Sequence, residues 1–267
     1  MTSSSASSEV LAQVAAGLVP VDLPTVLAHA GLQTRVDRKY LLEPAQFQML
    51  AGRLGDSFRV LEIDGRRQFG YESVYFDTRE LDLFRAHRQG QRLRYKARTR
   101  TYVESAECMF EVKLKGRRGE TVKHRMPYDV RHRQQLNVEA ARFLGDLLHE
   151  AYGKPVPVLQ PVVTTAYSRA TLVDLEAGAR MTCDVDLVCF DDAASTRAAD
   201  MVLVESKSSG SGSLADQVLR EMHVRPIAIS KYCIGIALLH RHLAANKWNR
   251  TLRREFGWVR EPAVALS

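Results

Sequence analysis

The chain has 267 residues, of which 45% are hydrophobic and 26% are charged, a composition that excludes disorder throughout and allows a sizeable core. Its 38 Lys and Arg residues exceed its 31 Asp and Glu residues, giving a formal net charge of +7. A positive balance favours polyanionic partners such as nucleic acid, nucleotides, polyphosphate or an anionic membrane surface, and does not choose among them.

The cysteines and the hydropathy pattern bear on the cellular compartment. Cys108, Cys183, Cys189 and Cys233 have neither a CxxC pair nor metal-ligand spacing. This spacing indicates reduced thiols rather than a zinc site or a disulfide framework. No apolar run reaches the roughly 18 to 20 residues that span a bilayer. The sequence therefore predicts a cytoplasmic protein without a transmembrane segment.

Residues 1–34 are predicted to form a separate N-terminal segment. Residues 1 to about 20 begin with MTSSSASS, which is typical of a loose tail, and LPTVLAHAG predicts a short helix that ends at Gly31. The ordered domain is predicted to span residues 35–243. PAQFQMLAGRL, residues 44–54, predicts its first helix because a proline starts it and apolar residues recur at helical spacing.

Strand-like segments dominate the rest of the domain, since they are rich in Val, Tyr, Phe and Thr and alternate between apolar and polar residues. The predicted strands are RVDRKYLL, YESVYFDT, QRLRYKARTR, ECMFEVKLKG, ETVKHRMPYDV, PVVTTAYSRATLVD, ARMTCDVDLVCF and DMVLVESK. Helices are predicted at VEAARFLGDLLHEAYG, at LADQVLREMH and at KYCIGIALLHRHLAANK. Ser213 and Asp216 are predicted to form a capping box at the second of these helices. Short connections between several strands indicate antiparallel pairing.

Successive side chains of a strand point to opposite sides, so charged residues at alternate positions predict a charged face. In RLRYKARTR the cations Arg92, Arg94, Lys96, Arg98 and Arg100 fall on one face. The same alternation in other strands groups Arg35, Asp37 and Lys39; Glu111, Lys113 and Lys115; Lys123 and Arg125; Arg180, Thr182, Asp184 and Asp186; and Glu205 and Lys207. Several predicted strands thus have one charged face and one apolar face.

Two architectures satisfy this pattern. One is an open sheet with its charged side in water, and the other is a barrel whose apolar exterior is covered by helices and whose charges line a wet bore. The barrel crowds like charges into a confined space, which makes sense when a polyanion fills it. We favour the barrel, with cations that bind a phosphate chain and carboxylates available to a divalent metal.

Nine motifs occur in one order along residues 35 to about 243: RxDRKY, SVYFDT, RLRYKAR, FEVKLKG, ETVKHR, AYSR, ARMTCDVDL, LVESK and ISKY. In this order they resemble the VTC-type polyphosphate polymerase domain, a branch of the CYTH-like triphosphate tunnel metalloenzymes. The resemblance implies an α+β fold, an antiparallel eight-stranded β-barrel tunnel with flanking helices, that binds nucleoside triphosphate and polyphosphate with Mn²⁺ or Mg²⁺. The strand RVDRK lacks the ExExK signature of the hydrolytic tunnel enzymes, which favours the polymerase branch.

The resemblance also implies roles for individual residues. The residues implied as catalytic phosphate contacts are Lys39, Arg92, Arg94, Lys113, Arg169 and Lys231. The substrate-binding candidates are Lys123 and Arg125 from the resemblance, with Arg35, Lys96, Arg180 and Lys207 added from the charged faces. The metal candidates are Glu205 from the resemblance, with Glu111, Asp184 and Asp186 added; Asp184 and Asp186 either hold metal or pair with Arg180.

Two further groups of basic residues are left with alternatives. Arg98, Arg100 and Lys115 lie further along their strands, toward a tunnel mouth, where they either guide product or are solvated. The basic C-terminal extension, residues 244–267, is predicted to be solvated, with docking to an anionic membrane or a partner as the alternative.

The functional hypothesis is a metal-dependent polyphosphate polymerase that transfers the γ-phosphoryl group of ATP to a polyphosphate chain and releases ADP. The alternatives are a tunnel-type triphosphatase, in which water is the acceptor, and a non-catalytic polyphosphate-binding sensor. The expected partners are ATP and inorganic polyphosphate or pyrophosphate; a membrane-protein partner and the oligomeric state are left open. Nucleic acid is not expected, because few aromatic residues alternate with the cations to stack bases.

Overall fold

The computed structural model describes residues 4–30, 36–116, 120–210 and 212–262. The strands are β1 (Pro20–Val21), β2 (Val36–Leu42), β3 (Arg59–Leu61), β4 (Phe69–Asp77), β5 (Tyr95–Tyr102), β6 (Glu107–Lys115), β7 (Thr121–Tyr128), β8 (Gln160–Asp174), β9 (Ala179–Phe190), β10 (Ser195–Arg197) and β11 (Val202–Ser208). The α-helices are α1 (Ala6–Gly17), α2 (Leu23–Ala30), α3 (Pro44–Leu54), α4 (Asp82–Gln89), α5 (Val138–Tyr152), α6 (Leu214–Glu221), α7 (Lys231–Leu239) and α8 (Asn249–Phe256).

The chain divides into two compact units. The first unit comprises Met1–Gly70, Tyr167–Leu187 and Arg197–Ile229, and the second comprises Tyr71–Ala166, Val188–Thr196 and Ser230–Ser267. The long strands β8 and β9 contribute residues to both units. Each unit has its own sheet face and its own apolar core.

The first unit contains the strand order β2-β11-β9-β8, with β11 antiparallel to both β2 and β9. Its core includes Leu11 and Ala15 of α1, which are packed in one apolar cluster with residues of α3 and α6. Ser5 begins α1 as its N-cap, because its side chain accepts a hydrogen bond from the backbone N–H of Ser8. The prediction that residues 1 to about 20 form a loose tail is therefore wrong for α1. The predicted helix at LPTVLAHAG is α2, and its expected end at Gly31 lies outside the described residues.

The second unit contains the strand order β8-β4-β5-β6-β7, with antiparallel pairing from β4 through β7. Its core places Phe110 and Val112 of β6 in one apolar cluster with Leu144 and Leu148 of α5. As predicted, α5 ends at Gly153, whose φ of 65° lies in the left-handed region that glycine adopts without strain.

The C-terminal segment is part of the core of the second unit. Trp248, Leu252 and Trp258 are 4%, 0% and 1% exposed, respectively. The indole Nε1–H of Trp258 donates a 2.8 Å hydrogen bond to the carbonyl oxygen of Ala237 in α7. The prediction of a solvated extension is therefore wrong for these residues.

The pairing confirms the α+β class and the antiparallel series of eight strands with flanking helices that were predicted for the barrel tunnel, since the structure has this hydrogen-bonded strand order: β2, β11, β9, β8, β4, β5, β6 and β7. The predicted capping box of α6 is also present, with Ser213 as N-cap and Asp216 as its reciprocal partner. Among the helices of the described residues, none combines the length and the apolar character needed to cross a membrane.

Candidate functional site

Two cross-strand rows of charged residues lie side by side in the second unit. The first, the arginine row, consists of Arg98, Glu111 and Arg125 on β5, β6 and β7, and the second, the lysine row, consists of Lys96, Lys113 and Lys123 on the same strands. Directly opposed residues share a face of a sheet, so all six belong to one face. The intervening residues Ala97 and Val112 are fully buried in the apolar cluster. The predicted alternation of a charged face with an apolar face is confirmed for these strands.

Glu111 is the centre of the arginine row. It is 1% exposed and accepts hydrogen bonds at Oε2 from Nε and Nη2 of Arg98, at 2.8 and 2.6 Å. Lys123 forms an ion pair with its other carboxylate oxygen, and Nε of Arg100 lies 3.9 Å from Oε2. Nη1 of Arg98 in turn donates to the hydroxyl of Tyr75 at 2.8 Å. Glu111 therefore holds a set of cations in place, which its predicted role as a metal ligand did not anticipate.

The position of Arg98 differs from the sequence prediction. Arg98 is 9% exposed, and its guanidinium lies over the ring of Tyr75 at 5.5 Å. A solvated arginine is therefore excluded at this position. Arg98 and Glu111 are cross-strand partners, and because this register depends on a contact between two strands, no local sequence signal could have identified it.

The ionisation of Glu111 and Lys123 follows from this packing. Burial alone would raise the pKa of Glu111, but Arg98, Arg100 and Lys123 oppose it and hold that pKa well below its usual range. Burial lowers the pKa of Lys123, with Arg98 and Arg100 acting in the same direction and Glu111 opposing them. The cluster thus keeps an ionised carboxylate in contact with three cations.

The lysine row places Lys96, Lys113 and Lys123 directly opposite one another on neighbouring strands. Like charges opposed across strands destabilise a sheet. A multiply charged anion lying over this row would offset the repulsion, because each ammonium group offers up to three hydrogen-bond donors. The row is therefore a candidate anion-binding surface.

Arg92 and Arg94 precede the strand that carries this charged face. β5 begins at Tyr95, and the two arginines lie in the bend that follows α4. The carbonyl oxygen of Arg94 accepts from the backbone N–H of Lys115 and from the hydroxyl of Tyr152, both at 2.9 Å. The prediction that RLRYKARTR is a strand throughout is wrong for residues 92–94, while the phosphate-contact role of both arginines stays a prediction.

Lys231 is the first residue of α7, whose N-cap is Ser230. The next residue, Tyr232, donates its hydroxyl hydrogen to Asp77, a buried carboxylate at the end of β4. Asp77 also accepts from the backbone N–H groups of Leu83 and Phe84 in α4, at 2.8 and 3.0 Å. Asp77 therefore ties the start of α7 to α4. Sequence reasoning gave it no role, although its position between a strand and a helix was visible in SVYFDT.

The first unit carries a second pair of rows on β2, β11 and β9. The glutamate row consists of Lys39, Glu205 and Thr182, and the neighbouring row consists of Asp37, Lys207 and Arg180. Oε2 of Glu205 lies 3.6 Å from Nζ of Lys39, and Oε1 lies 3.3 Å from Nζ of Lys207. The opposite face is packed in the core, as shown by Tyr40 of β2 and Val204 of β11.

Lys207 is held beside Glu205 in a largely buried position. Burial lowers the pKa of Lys207 from its ordinary value of 10.5 to about 8, and Glu205 opposes that shift by favouring the charged form. Between these two pH values the unfolded chain binds more protons than the folded protein, so stability rises with pH in this window.

Replacing Lys207 by methionine is expected to remove this pH dependence. Between pH 8 and 10.5 the free energy of unfolding of the wild type is expected to rise relative to Lys207→Met, with a limiting slope of about 1.4 kcal/mol per pH unit. Urea unfolding at several pH values in this window measures the difference, and Lys154→Met, at an exposed site, should behave like the wild type. If the free energy of unfolding changed with pH in the same way for the wild type and Lys207→Met, the lowered pKa of Lys207 would be contradicted.

Asp184 and Asp186 have different surroundings. Asp184 is 2% exposed and accepts two hydrogen bonds from Arg169, at 2.5 and 2.8 Å. Asp186 adopts a left-handed backbone with φ of 55° and accepts from Arg197 and Ser5, at 3.1 and 2.8 Å. The left-handed backbone at Asp186 is a local irregularity of β9, and the sharing of a face by the two carboxylates stays a prediction.

Asp184 pairs with Arg169, a partner that was not predicted from the sequence. Arg180 lies opposite Lys207 in the neighbouring row, and its pairing with Asp184 or Asp186 stays a prediction. Arg125 lies on an exposed part of β7, and Arg35 lies outside the described residues.

Four carboxylates were predicted as metal ligands, and Glu205 fits that role best. Glu111 and Asp184 have side chains 0% and 1% exposed, and each accepts two hydrogen bonds from an arginine. Glu205 is 15% exposed and contacts lysines at 3.3 and 3.6 Å. Within the described residues, no group of three or more His, Cys, Asp or Glu side chains is arranged to hold a metal ion. Glu205 therefore fits an ion of the Mg²⁺ type, which takes one or two carboxylates together with substrate phosphates and water.

The VTC domain family matches residues 34–240. The chain therefore belongs to the VTC domain family, as the order of its motifs indicated. Membership supports the general part of the functional prediction, namely that the chain belongs to an enzyme family that acts on triphosphates.

Comparison with other proteins adds distant similarities. No curated protein matches the chain. A Hippeastrum protein named as an adenylyl cyclase, and described as having a dominant triphosphatase activity, is 17% identical with a TM-score of 0.47, covering 76% of this chain and 96% of its own. A Vibrio parahaemolyticus protein named as an adenylate cyclase is 12% identical, with a TM-score of 0.38 and coverage of 74% and 95%. A Pyrococcus horikoshii OT3 protein is 12% identical, with a TM-score of 0.42 and coverage of 77% and 99%.

Proposed function

We propose that the protein transfers the γ-phosphoryl group of ATP to inorganic polyphosphate and releases ADP. The observation that carries the proposal is the lysine row, in which Lys96, Lys113 and Lys123 oppose one another across three strands. Such a row is stabilised by a ligand with several closely spaced negative charges, which is what a polyphosphate or a triphosphate provides. Membership in the VTC domain family supports the same reading.

The charged rows suit phosphoryl transfer because this reaction asks mainly for positioning and charge neutralisation. Its transition state is loose and its charge lies on the phosphoryl oxygens. The terminal phosphate of a polyphosphate chain is already an anionic nucleophile, so a site of lysines and arginines does not need a separate general base.

Each unit has its own residues that suit the binding of phosphate. In the second unit, the lysine row binds phosphate oxygens, and Glu111 keeps Arg98 and Lys123 in fixed positions. In the first unit, Lys39 and Lys207 bind phosphate on either side of Glu205. The remaining proposed phosphate contacts are Arg35, Arg92, Arg94, Arg125, Arg169, Arg180 and Lys231.

Glu205 is the residue that would hold Mn²⁺ or Mg²⁺. A divalent ion held there would supply positive charge that offsets the negative charge of the phosphoryl group in the transition state. Lys39 and Lys207 orient the carboxylate of Glu205 through their contacts with its two oxygens.

Incubation of the purified protein with ATP and Mn²⁺ tests the proposal. Long phosphate chains on a gel, formed together with ADP, are the expected result. Lys113→Met, in the centre of the lysine row, is expected to reduce chain formation by at least about tenfold through the loss of a charge-assisted contact. Lys154→Met is the matched control, since that lysine is exposed and lies after α5.

Two results would replace the proposal with another function. Orthophosphate as the sole phosphate product would indicate a triphosphatase, in which water is the acceptor. Binding of polyphosphate without ADP release under any divalent metal would indicate a sensor.

A further inference from the structure

A buried hydroxyl group lies next to Glu205 without a hydrogen-bond partner among the described residues. It belongs to Thr182, which is 3% exposed. Thr182 is the direct cross-strand partner of Glu205 in the register of β9 and β11. Their side chains therefore share the charged face of the first unit, with Cβ atoms about 4.5–5.5 Å apart.

A buried hydroxyl without a partner destabilises a folded protein, and most buried hydroxyls have one. At this position a valine would have the same shape and suit a strand at least as well, without leaving a polar group unsatisfied. The presence of a threonine at this position is explained if the bound ligand supplies a hydrogen-bond acceptor for its hydroxyl. The surrounding charges favour an anion, because Arg180 is on the same face two residues away and Lys39 is on the other side of Glu205.

We propose that the Thr182 hydroxyl donates a hydrogen bond to a phosphate oxygen of the bound substrate beside Glu205. This inference rests on the proposed function, in that it takes the ligand to be a phosphate chain. A threonine hydroxyl is a neutral donor that does not titrate in the range where proteins are folded, so it adds a directional hydrogen bond to the lysine and arginine groups of this face.

The structure supplies a matched control in Ser208. This residue is also 3% exposed, and its hydroxyl also has no hydrogen-bond partner within the described part of the chain. It lies on β11 opposite Val36, so it belongs to the face of Ser206 and not to the face of Glu205. Removal of either hydroxyl relieves an unsatisfied polar group, but only the Thr182 hydroxyl lies where a phosphate is proposed.

The test compares Thr182→Val, Thr182→Ser and Ser208→Ala with the wild type, using calorimetric titration with inorganic tripolyphosphate in metal-free buffer and thermal unfolding without ligand. Thr182→Val is expected to weaken tripolyphosphate binding about tenfold, as expected for a lost hydrogen bond to a charged group. Its unfolding temperature without ligand should equal or exceed that of the wild type. Thr182→Ser, which keeps the hydroxyl, and Ser208→Ala should bind like the wild type.

Three outcomes would overturn the inference. Unchanged binding by Thr182→Val, with weakened binding by Lys113→Met, would overturn the role of Thr182 and leave the proposed function standing. A lower unfolding temperature of Thr182→Val without ligand would mean that the hydroxyl stabilises the protein itself. Failure of the wild type to bind tripolyphosphate would overturn both the inference and the proposed function.

Discussion

Glu111→Gln is expected to lower the free energy of unfolding at pH 7 by about 3–5 kcal/mol, the range found when one partner of a buried ion pair is removed. Glutamine keeps the shape of the side chain but removes its charge. Arg98, with a side chain 11% exposed, and Lys123 would then remain close together without the carboxylate that pairs with both. Urea unfolding followed by circular dichroism measures the change.

A control and a pH series make this result specific. Glu107→Gln removes a carboxylate from an exposed position on the same strand and should change the free energy of unfolding by less than about 0.5 kcal/mol. The folded-state pKa of Glu111 is below its ordinary value of 4.5, so its stabilising contribution is present above pH 4.5 and is lost as the pH falls toward the folded-state pKa. The difference between wild type and Glu111→Gln should therefore shrink on acidification below pH 4.5. Equal stability of the two proteins at pH 7 would contradict the central role of Glu111.

Glu205→Gln is expected to reduce the formation of phosphate chains from ATP and Mn²⁺ by about 100-fold or more, because loss of a metal contact removes several kcal/mol of transition-state stabilisation. Binding of tripolyphosphate should persist, since Lys39 and Lys207 keep their side chains on the same face. Turnover is measured by ADP release, and binding is measured by calorimetry without metal.

Asp37→Asn is the matched control for Glu205→Gln. Asp37 is an exposed carboxylate on the same face, opposite Lys207, and its replacement should leave turnover within about twofold of the wild type. Near wild-type turnover by Glu205→Gln at saturating Mn²⁺ would refute the assignment of Glu205 to the metal. Loss of tripolyphosphate binding together with turnover would assign Glu205 to the structure of the binding face instead.

The parts of the fold that follow from local pattern were predictable from the sequence. The alternation in YKARTR and FEVKLK has a period of two, which identifies which side chains share a face without knowledge of the partner strand. The caps of α5 and α6 were also predictable from local sequence, because Gly153 and Ser213 form hydrogen bonds with residues close to them in the chain.

The parts that depend on distant contacts were not predictable. Glu111 was assigned to a metal, but its ionic partners Arg98 and Lys123 come from the register of three strands. Arg92 and Arg94 continue the alternation of β5, yet the strand starts only at Tyr95, after the bend that follows α4. Local sequence carries no information on where a partner strand stops.

The N-terminal helix shows that composition can mislead. The Ser- and Ala-rich start of the chain is typical of a loose tail, yet alanine also favours helices and Ser5 is a suitable N-cap. Leu11 and Ala15 are spaced by four residues and lie buried on one side of α1. That spacing was the available signal.

The cross-strand rows make the length of the connection between β5 and β6 more important than its sequence. That connection, residues 103–106, ends at Ala106, whose φ of 55° is left-handed. If deletion of one residue shifted the pairing by one position, every side chain of β6 would change sides, so that Glu111 and Lys113 would enter the apolar cluster and Val112 would meet solvent. Natural variation in this connection should therefore be seen as substitutions rather than as single-residue insertions or deletions.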